Sequence, residues 1–206
     1  MPLSLKETEM PKIAIAYHSG YGHTARIAAH IADGAKSAGA EVELIKVDAI
    51  DESGWQKLDA ADAIVFGAPT YMGGASAQFK TFEDATASRW MKREWSGKLA
   101  AGFTNSGSPS GDKLSTLIQI MLFSQQHGML WQGLDLLPSE HPGGNDFVSK
   151  EALNRLGGFA GLLTQANNDA PESTFTPGDL KTAEIFGANI SATSTKIGSR
   201  SQSASV

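Results

Sequence analysis

Three short stretches carry residue types suited to holding an anion and a flat ring. The first is Ser19-Gly20-Tyr21-Gly22-His23-Thr24, in which hydroxyl side chains bracket two glycines. Serine and threonine hydroxyls donate to anionic oxygen, and glycine lets a backbone bend and approach a ligand closely. An apolar run, Ile13-Ala14-Ile15-Ala16-Tyr17, precedes the stretch, and a helix-period pattern of Ile27, Ile31 and Ala35 follows it. The stretch is therefore a strand-to-helix turn, and the first N–H groups of the helix have no partner inside it. A phosphate monoester satisfies such donors, and the helix dipole adds about half a positive charge at that end. The turn contains no Lys and no acid, so neutral donors and the dipole must hold the dianion.

The second stretch, Pro69-Thr70-Tyr71-Met72-Gly73-Gly74, places an aromatic ring and a thioether on a loop, a surface for a flat ligand. It reads equally as a glycine-rich turn whose aromatic packs on its own helix. The third, Asn105-Ser106-Gly107-Ser108-Pro109-Ser110-Gly111, is again rich in hydroxyls and glycine. Outside these loops, His127 sits at a helix end, where an imidazole either caps the dipole or offers a group that titrates near neutral pH. Arg89 to Ser96 combines two indoles with three cations, the composition of an interface or of a solvated connector with one Trp in the core.

Two familiar phosphate loops are tested against the first stretch. A Walker loop needs Gly-Lys-Ser/Thr at its end, and here Gly22 is followed by His23 and Thr24, which argues against nucleoside triphosphate chemistry. Gly20-Tyr21-Gly22-His23-Thr24-Ala25 fits the dinucleotide pattern G-x-G-x-x-G/A, with Asp48 as a ribose-binding acid. His18 and Ser19, however, lengthen the turn beyond the tight bend which that pattern serves.

The elements that position these loops alternate along the chain. Strands are expected at 12–18, 41–47, 63–67, 99–104 and 130–136, and helices at 22–38, 52–58, 76–88, 112–126 and from Pro177 to about Ile190. The alternation predicts a doubly wound α/β sheet of five parallel strands with helices on both faces. In that architecture all three loops leave the carboxyl ends of strands and lie together at the rim where ligands bind. Residues 137–170 are an irregular excursion with a return strand at 161–166. Residues 1–11 form a loose leader, 12–192 the domain, and the Ser-rich 193–206 a flexible tail.

Composition excludes several classes. No cysteine occurs, so disulfides, thiol catalysis and cysteine-ligated metals are absent, and no metal-ligand pattern appears. A net charge of -5 gives no reason to expect nucleic acid or an anionic membrane as partner. With no apolar leader and no membrane-length apolar run, the expected location is cytoplasmic.

Taken together, the loops resemble those of the flavodoxin-like NAD(P)H:quinone oxidoreductases of the WrbA family, over about residues 12–192. Ser19 to Thr24 is similar to the family's FMN-phosphate loop with its Tyr-Gly-His triplet. Pro69-Thr70-Tyr71-Met72-Gly73 is similar to Pro-Thr-Arg-Phe-Gly, Asn105 to Ser110 to the loop bordering the isoalloxazine, and His127-Gly128-Met129 to His-Gly-Met. Trp90, eight residues before Lys98, matches a Trp that in the family reaches over the flavin of a neighbouring subunit.

The resemblance implies strand order 2-1-3-4-5, bound FMN, and ping-pong hydride transfer from NADH or NADPH to a quinone or similar flat acceptor. It implies that Ser19, Gly20, Tyr21, Gly22, His23 and Thr24 hold the phosphate. Pro69, Thr70, Tyr71, Met72 and Gly73, with Asn105, Ser106, Gly107, Ser108, Pro109 and Ser110, would frame the ring. Tyr21 and Trp90 would meet the substrate, His127 would lie near the flavin as a hydrogen-bond or proton donor, and the chain would form a homodimer or homotetramer. Tyr71 stands where the family has Arg, removing a cation from the flavin's edge; Gly74 replaces an Asn, and Pro109 enters a glycine-rich loop. The rivals are an electron-transfer flavodoxin without NAD(P)H turnover and an NAD-dependent Rossmann dehydrogenase. A receiver domain would need acids where Tyr17-His18-Ser19 and Gly67-Ala68-Pro69 stand.

Overall fold

In β1 (Lys12–Tyr17), Ile13, Ile15 and Tyr17 point into one core and Ala14 and Ala16 into another, and all five are buried. Side chains alternate along a strand, so a strand that is apolar at every position must be covered on both faces. The computed structural model, which describes residues 10–138, 149–167 and 169–203, provides that cover. Helices α1 (His23–Ser37) and α7 (Pro177–Ser203) lie on one face. Helices α2 (Glu52–Ala60), α3 (Ala77–Ala85) and α5 (Lys113–Gln126) lie on the other. A short α4 (Ala87–Lys92) follows α3, and α6 (Pro171–Thr174) precedes α7. No helix among the described residues is long and apolar enough to cross a membrane.

The parallel strands run in the order β2 (Glu41–Lys46), β1, β3 (Ala63–Tyr71), β5 (Leu99–Ser106), β6 (Leu130–Gln132), the expected 2-1-3-4-5 order. A short β4 (Gly74–Ala75) pairs antiparallel with the end of β3. Helices α1 and α7 pack backbone to backbone. A Cβ at Gly34 would lie 1.8 Å from the Glu184 carbonyl oxygen, and one at Gly187 would lie 1.9 Å from that of Ile31.

Three expectations need correction. The fifth strand does not run over 130–136. It stops at Gln132, and Leu134 N–H donates to Phe159 O, so the chain leaves the sheet there. The excursion returns as β7 (Leu162–Gln165), in the same position: β6 pairs with Leu99 to Ala101, and β7 with Phe103 to Ser106. The junction lies beside Gly102, which has no room for a side chain against Trp131.

Second, β3 and β5 run further than the apolar runs suggested. Pro69, Thr70 and Tyr71 are strand, and so are Asn105 and Ser106, with Pro69 paired to Asn105. Beyond Tyr71 the chain makes a two-residue hairpin turn. Met72 (φ 49°) and Gly73 (φ 82°) both have the positive φ that such turns require. Third, the tail read as flexible from 193 is helical to Ser203. Ser191 and Ser194 are buried against the fold, and Ser191 Oγ donates to Ala38 O, so polar residues there do not mean a solvated segment. The leader and the excursion are described only in part: residues 1–9 and 139–148 lie outside the described residues.

Candidate functional site

The carboxyl ends of β1, β3 and β5 meet at one rim. His18 closes β1 by donating its N–H to Gly67 O at 3.0 Å, and its Nδ1 bonds Ser76 Oγ at 2.8 Å. Burial holds the His18 pKa below the usual imidazole range, although Asp48 opposes the fall. The chain then turns through Ser19 to Gly22. Gly22, with φ of 87°, is the N-cap of α1 and has no side chain with which to cap it. Of the helix's leading N–H groups, that of Ala25 is taken by Ser19 Oγ, which leaves those of His23 and Thr24 for an anion. Ser19 Oγ accepts from Ala25 N–H at 3.1 Å, which leaves the hydroxyl proton free to donate.

Hydroxyl bonds lock the three strand ends together. Thr24 Oγ1 donates to Asn105 Oδ1 at 2.8 Å, tying the first turn to β5. Thr70 Oγ1 shares hydrogen bonds of 2.8 Å with both Thr104 and Thr116 Oγ1, tying β3 to β5 and α5. All of these groups are buried, so each bond replaces a hydration that the side chain has lost. Thr24 thus spends its hydroxyl on a neighbour, and only its backbone N–H remains for a ligand.

Between these ends lies a cleft of about 610 Å³, within the usual range for a small-molecule site. One wall is Ser19, Gly20, Tyr21, His23 and Thr24, and another is Pro69, Thr70 and Tyr71. The third is Asn105, Ser106 and Gly107. Tyr71 leans over the first turn: a Cβ on Gly20 would lie 2.8 Å from its hydroxyl, so any larger residue there would push the phenol aside. Burial and then the neighbouring Tyr21 push the Tyr71 phenol's pKa up, so its hydroxyl stays neutral. Tyr21 itself is 77% exposed at the mouth.

A fourth wall, Ala166, Asn167, Asp169 and Ala170, escaped the reading of the sequence. It follows β7, so it is one more loop at the carboxyl end of a strand, and the return strand at 161–166 was the signal that could have found it. His23 Nε2 bonds Asp169 O at 2.9 Å and joins this wall to the first. Among the described residues, no Lys or Arg lines the cleft.

Residues 15–119 match the model of the family described as Flavodoxin. Flavodoxin FldP of Pseudomonas aeruginosa is 40% identical over 184 residues, 88% of this chain and 95% of that one. The NAD(P)H dehydrogenase (quinone) of Archaeoglobus fulgidus is 30% identical over 210 residues, 91% of this chain and 100% of that one. The crystal structure of the flavodoxin, WrbA-like protein from Agrobacterium tumefaciens matches with a TM-score of 0.71 and 38% identity, covering 90% and 98% of the two chains. The chain belongs to the flavodoxin-like WrbA family.

In this WrbA-family chain the remaining expected site residues lie elsewhere. Gly22 stands beside the cleft, Met72 and Gly73 form the hairpin tip, and Ser108, Pro109 and Ser110 are exposed beyond the third wall. His127 and Trp90 are at the opposite end of the sheet. Leu130, just after His127, pairs with Leu99 at the start of β5, whereas Asn105 and Ser106 end that strand. Six residues of strand separate the two levels by about 20 Å. Within a single chain, therefore, His127 does not reach the cleft, and the expectation that it lies near a flavin is not met there.

His127 is 2% exposed. It lies 4.7 Å from the Trp95 ring and 5.0 Å from Phe123, and its Nε2 bonds Thr86 Oγ1 at 2.9 Å. Burial, helped by Arg93, pushes its pKa down to about 4, so the ring is neutral at pH 7. Trp95 is the indole in the core, and its Nε1 donates to Asp59, which also receives a bidentate Arg89. Lys98 donates to the carbonyls of Leu58, Asp59 and Ala61, satisfying the last turn of α2. Trp90, by contrast, is 46% exposed, and only another copy of the chain could bring it to a cleft.

Proposed function

We propose that this protein is an FMN-dependent NAD(P)H:quinone oxidoreductase of the WrbA type. The observation that carries the reading is the cleft itself: the first N–H groups of α1 at one end, and at the other a slot between Tyr71 and Asn105 to Gly107. The donor set fits the cofactor. The Ser19 hydroxyl and the backbone of Gly20 to Thr24 would hold the phosphate, and the neutral Tyr71 and the 105–107 wall would flank the ring. Bound FMN would supply the capacity to take two electrons from NADH or NADPH and pass them to a quinone. The chain's own task is to orient and to exclude water. The hydroxyl bonds among Thr24, Asn105, Thr70, Thr104 and Thr116 keep the walls fixed before a ligand arrives. Tyr21, open at the mouth, would meet the nicotinamide or a flat acceptor. Trp90 would close the slot from a neighbouring copy, which makes self-association part of the proposal.

The reading is tested by adding FMN to the purified protein and then NADH or NADPH without oxygen. The expected result is a retained flavin band that bleaches and returns on addition of a benzoquinone. A second reading, an electron-transfer flavodoxin, is favoured by the 40% identity to Flavodoxin FldP and by the burial of His127 away from the cleft. A retained band that NAD(P)H leaves unbleached selects it. Failure to retain FMN sinks both.

A further inference from the structure

Behind the third wall of the cleft lies a buried cation that the proposed function does not use. Lys113, the first residue of α5, is 0% exposed, and its Nζ donates to Ser106 Oγ at 2.9 Å and to the Ser108 carbonyl at 2.5 Å. Next to it, Arg155 makes a paired contact with the buried Asp179 of α7, with both nitrogens 2.9 Å from the carboxylate oxygens. Arg155 also donates to Gln165 Oε1, and Gln165 Nε2 donates to the Gly107 carbonyl at 3.1 Å. One network thus engages the hydroxyl of Ser106 and the carbonyls of Gly107 and Ser108.

The charges do not balance. Lys113 and Arg155 are cations and Asp179 is, among the described residues, the carboxylate that faces both, so the described cluster carries an excess of one positive charge. Among the described residues, no carboxylate lies within hydrogen-bond reach of Lys113 Nζ. A buried cation paired only with neutral oxygens is costly unless something else compensates it. The cleft beside it is, among the described residues, lined by no Lys or Arg, and its proposed occupant is a phosphorylated, electron-accepting ring.

We propose that Lys113 is a positioning residue for the flavin: its ammonium holds 106–108 in the ligand-receiving form and supplies, through the wall, positive charge that the lining lacks. The inference rests on the FMN reading. Burial holds the Lys113 pKa down to about 8, Arg155 adds to the fall, and Asp179 opposes it. An anionic ligand favoured by the ammonium raises that pKa, and by reciprocity its own affinity falls as pH rises through about 8. The stability of the unliganded protein moves the other way. An unfolded Lys titrates near about 10.4, so between about pH 8 and about pH 10.4 the native state has released a proton that the unfolded chain keeps. The burial cost is relieved over that window as pH rises. A merely structural lysine would move stability alone.

The test is FMN titration of the full-length apo-protein, followed by flavin fluorescence, at about pH 7 and about pH 9. Wild-type affinity is expected to fall about tenfold over that interval. Lys113→Met is expected to bind about tenfold more weakly at about pH 7 and to lose the pH dependence. Lys113→Arg, which keeps its charge, is expected to retain affinity at both. Unchanged affinity in Lys113→Met, or a flat wild-type profile, overturns the assignment, and the wild-type profile decides it if the variant does not fold. Wild-type protein that binds no FMN at either pH sinks the FMN reading instead.

Discussion

The two ends of the sheet hold similar residues in opposite conditions. At the carboxyl end, Tyr71, Thr24 and Thr70 line open space with His18 bonded to Ser76 behind them, and the two threonine hydroxyls are spent on fixing one wall to the next. At the amino end, His127, Trp95, Thr86 and Asp59 enclose no such space: ring packs on ring, the Thr86 and Trp95 donors find acceptors inside the fold, and among the described residues only His127 Nδ1 in this group has no partner. The difference teaches that residue type does not make a site. A strand end followed by a helix start leaves N–H groups unpaired and a gap above the sheet, whereas a helix end followed by a strand start is filled by the side chains of both.

Breaking the amino end is expected to have the largest effect. Trp95→Ala removes a fully buried indole and one donor to Asp59, and should cost about 4 kcal/mol of stability in urea unfolding while leaving FMN affinity of the folded fraction unchanged. Breaking the carboxyl end should do the reverse. Ser19→Glu sets a carboxylate against the phosphate and should weaken FMN binding by about 3 kcal/mol, roughly a hundredfold, with a melting temperature close to wild type. If both variants lose both properties, the two ends are not independent.

Acid titration sharpens the contrast. The folded-state pKa of His127 lies near about 4 and an unfolded His near about 6.5, so the unfolded chain takes up a proton that the native chain refuses. Stability is therefore present above about pH 6.5 and lost as pH falls towards about 4, by at most about 3 kcal/mol. His127→Gln, which keeps a partner for Thr86, should flatten that limb of a stability-versus-pH curve. The smallest effect is expected from Thr24→Val. It removes one buried hydroxyl bond and should cost about 1 kcal/mol in stability, with a similar loss in FMN affinity because Asn105 is freed.

The sheet was legible because its strands are short apolar runs with turn signals at their ends; alternation with helices fixed its class, and the strand order came from the resemblance alone. The three loops were legible for the same reason. Other features escaped local reading. Pro69 looked like a strand terminator, yet the strand continues through it to a hairpin at Met72 and Gly73. Leu130 to Leu136 looked like one strand, but its second half turns out to Phe159, and a distant segment takes its place. The Ser-rich end looked solvated, yet α7 carries it across α1. His127 could have been placed from the sequence. A helix of 14 residues returning from the cleft end spans about 21 Å, enough to carry its last residue to the other side of the sheet.

By itself, the sequence determined which segments become strands and helices and which turns expose backbone donors, because those are consequences of near neighbours and of period. Only the tertiary structure decided which side chains meet. The Thr24–Asn105 bond spans 81 positions, and the Lys113 cluster draws on α5, α7, β7 and the excursion. Such meetings depend on how layers pack, and packing is settled by the whole chain at once.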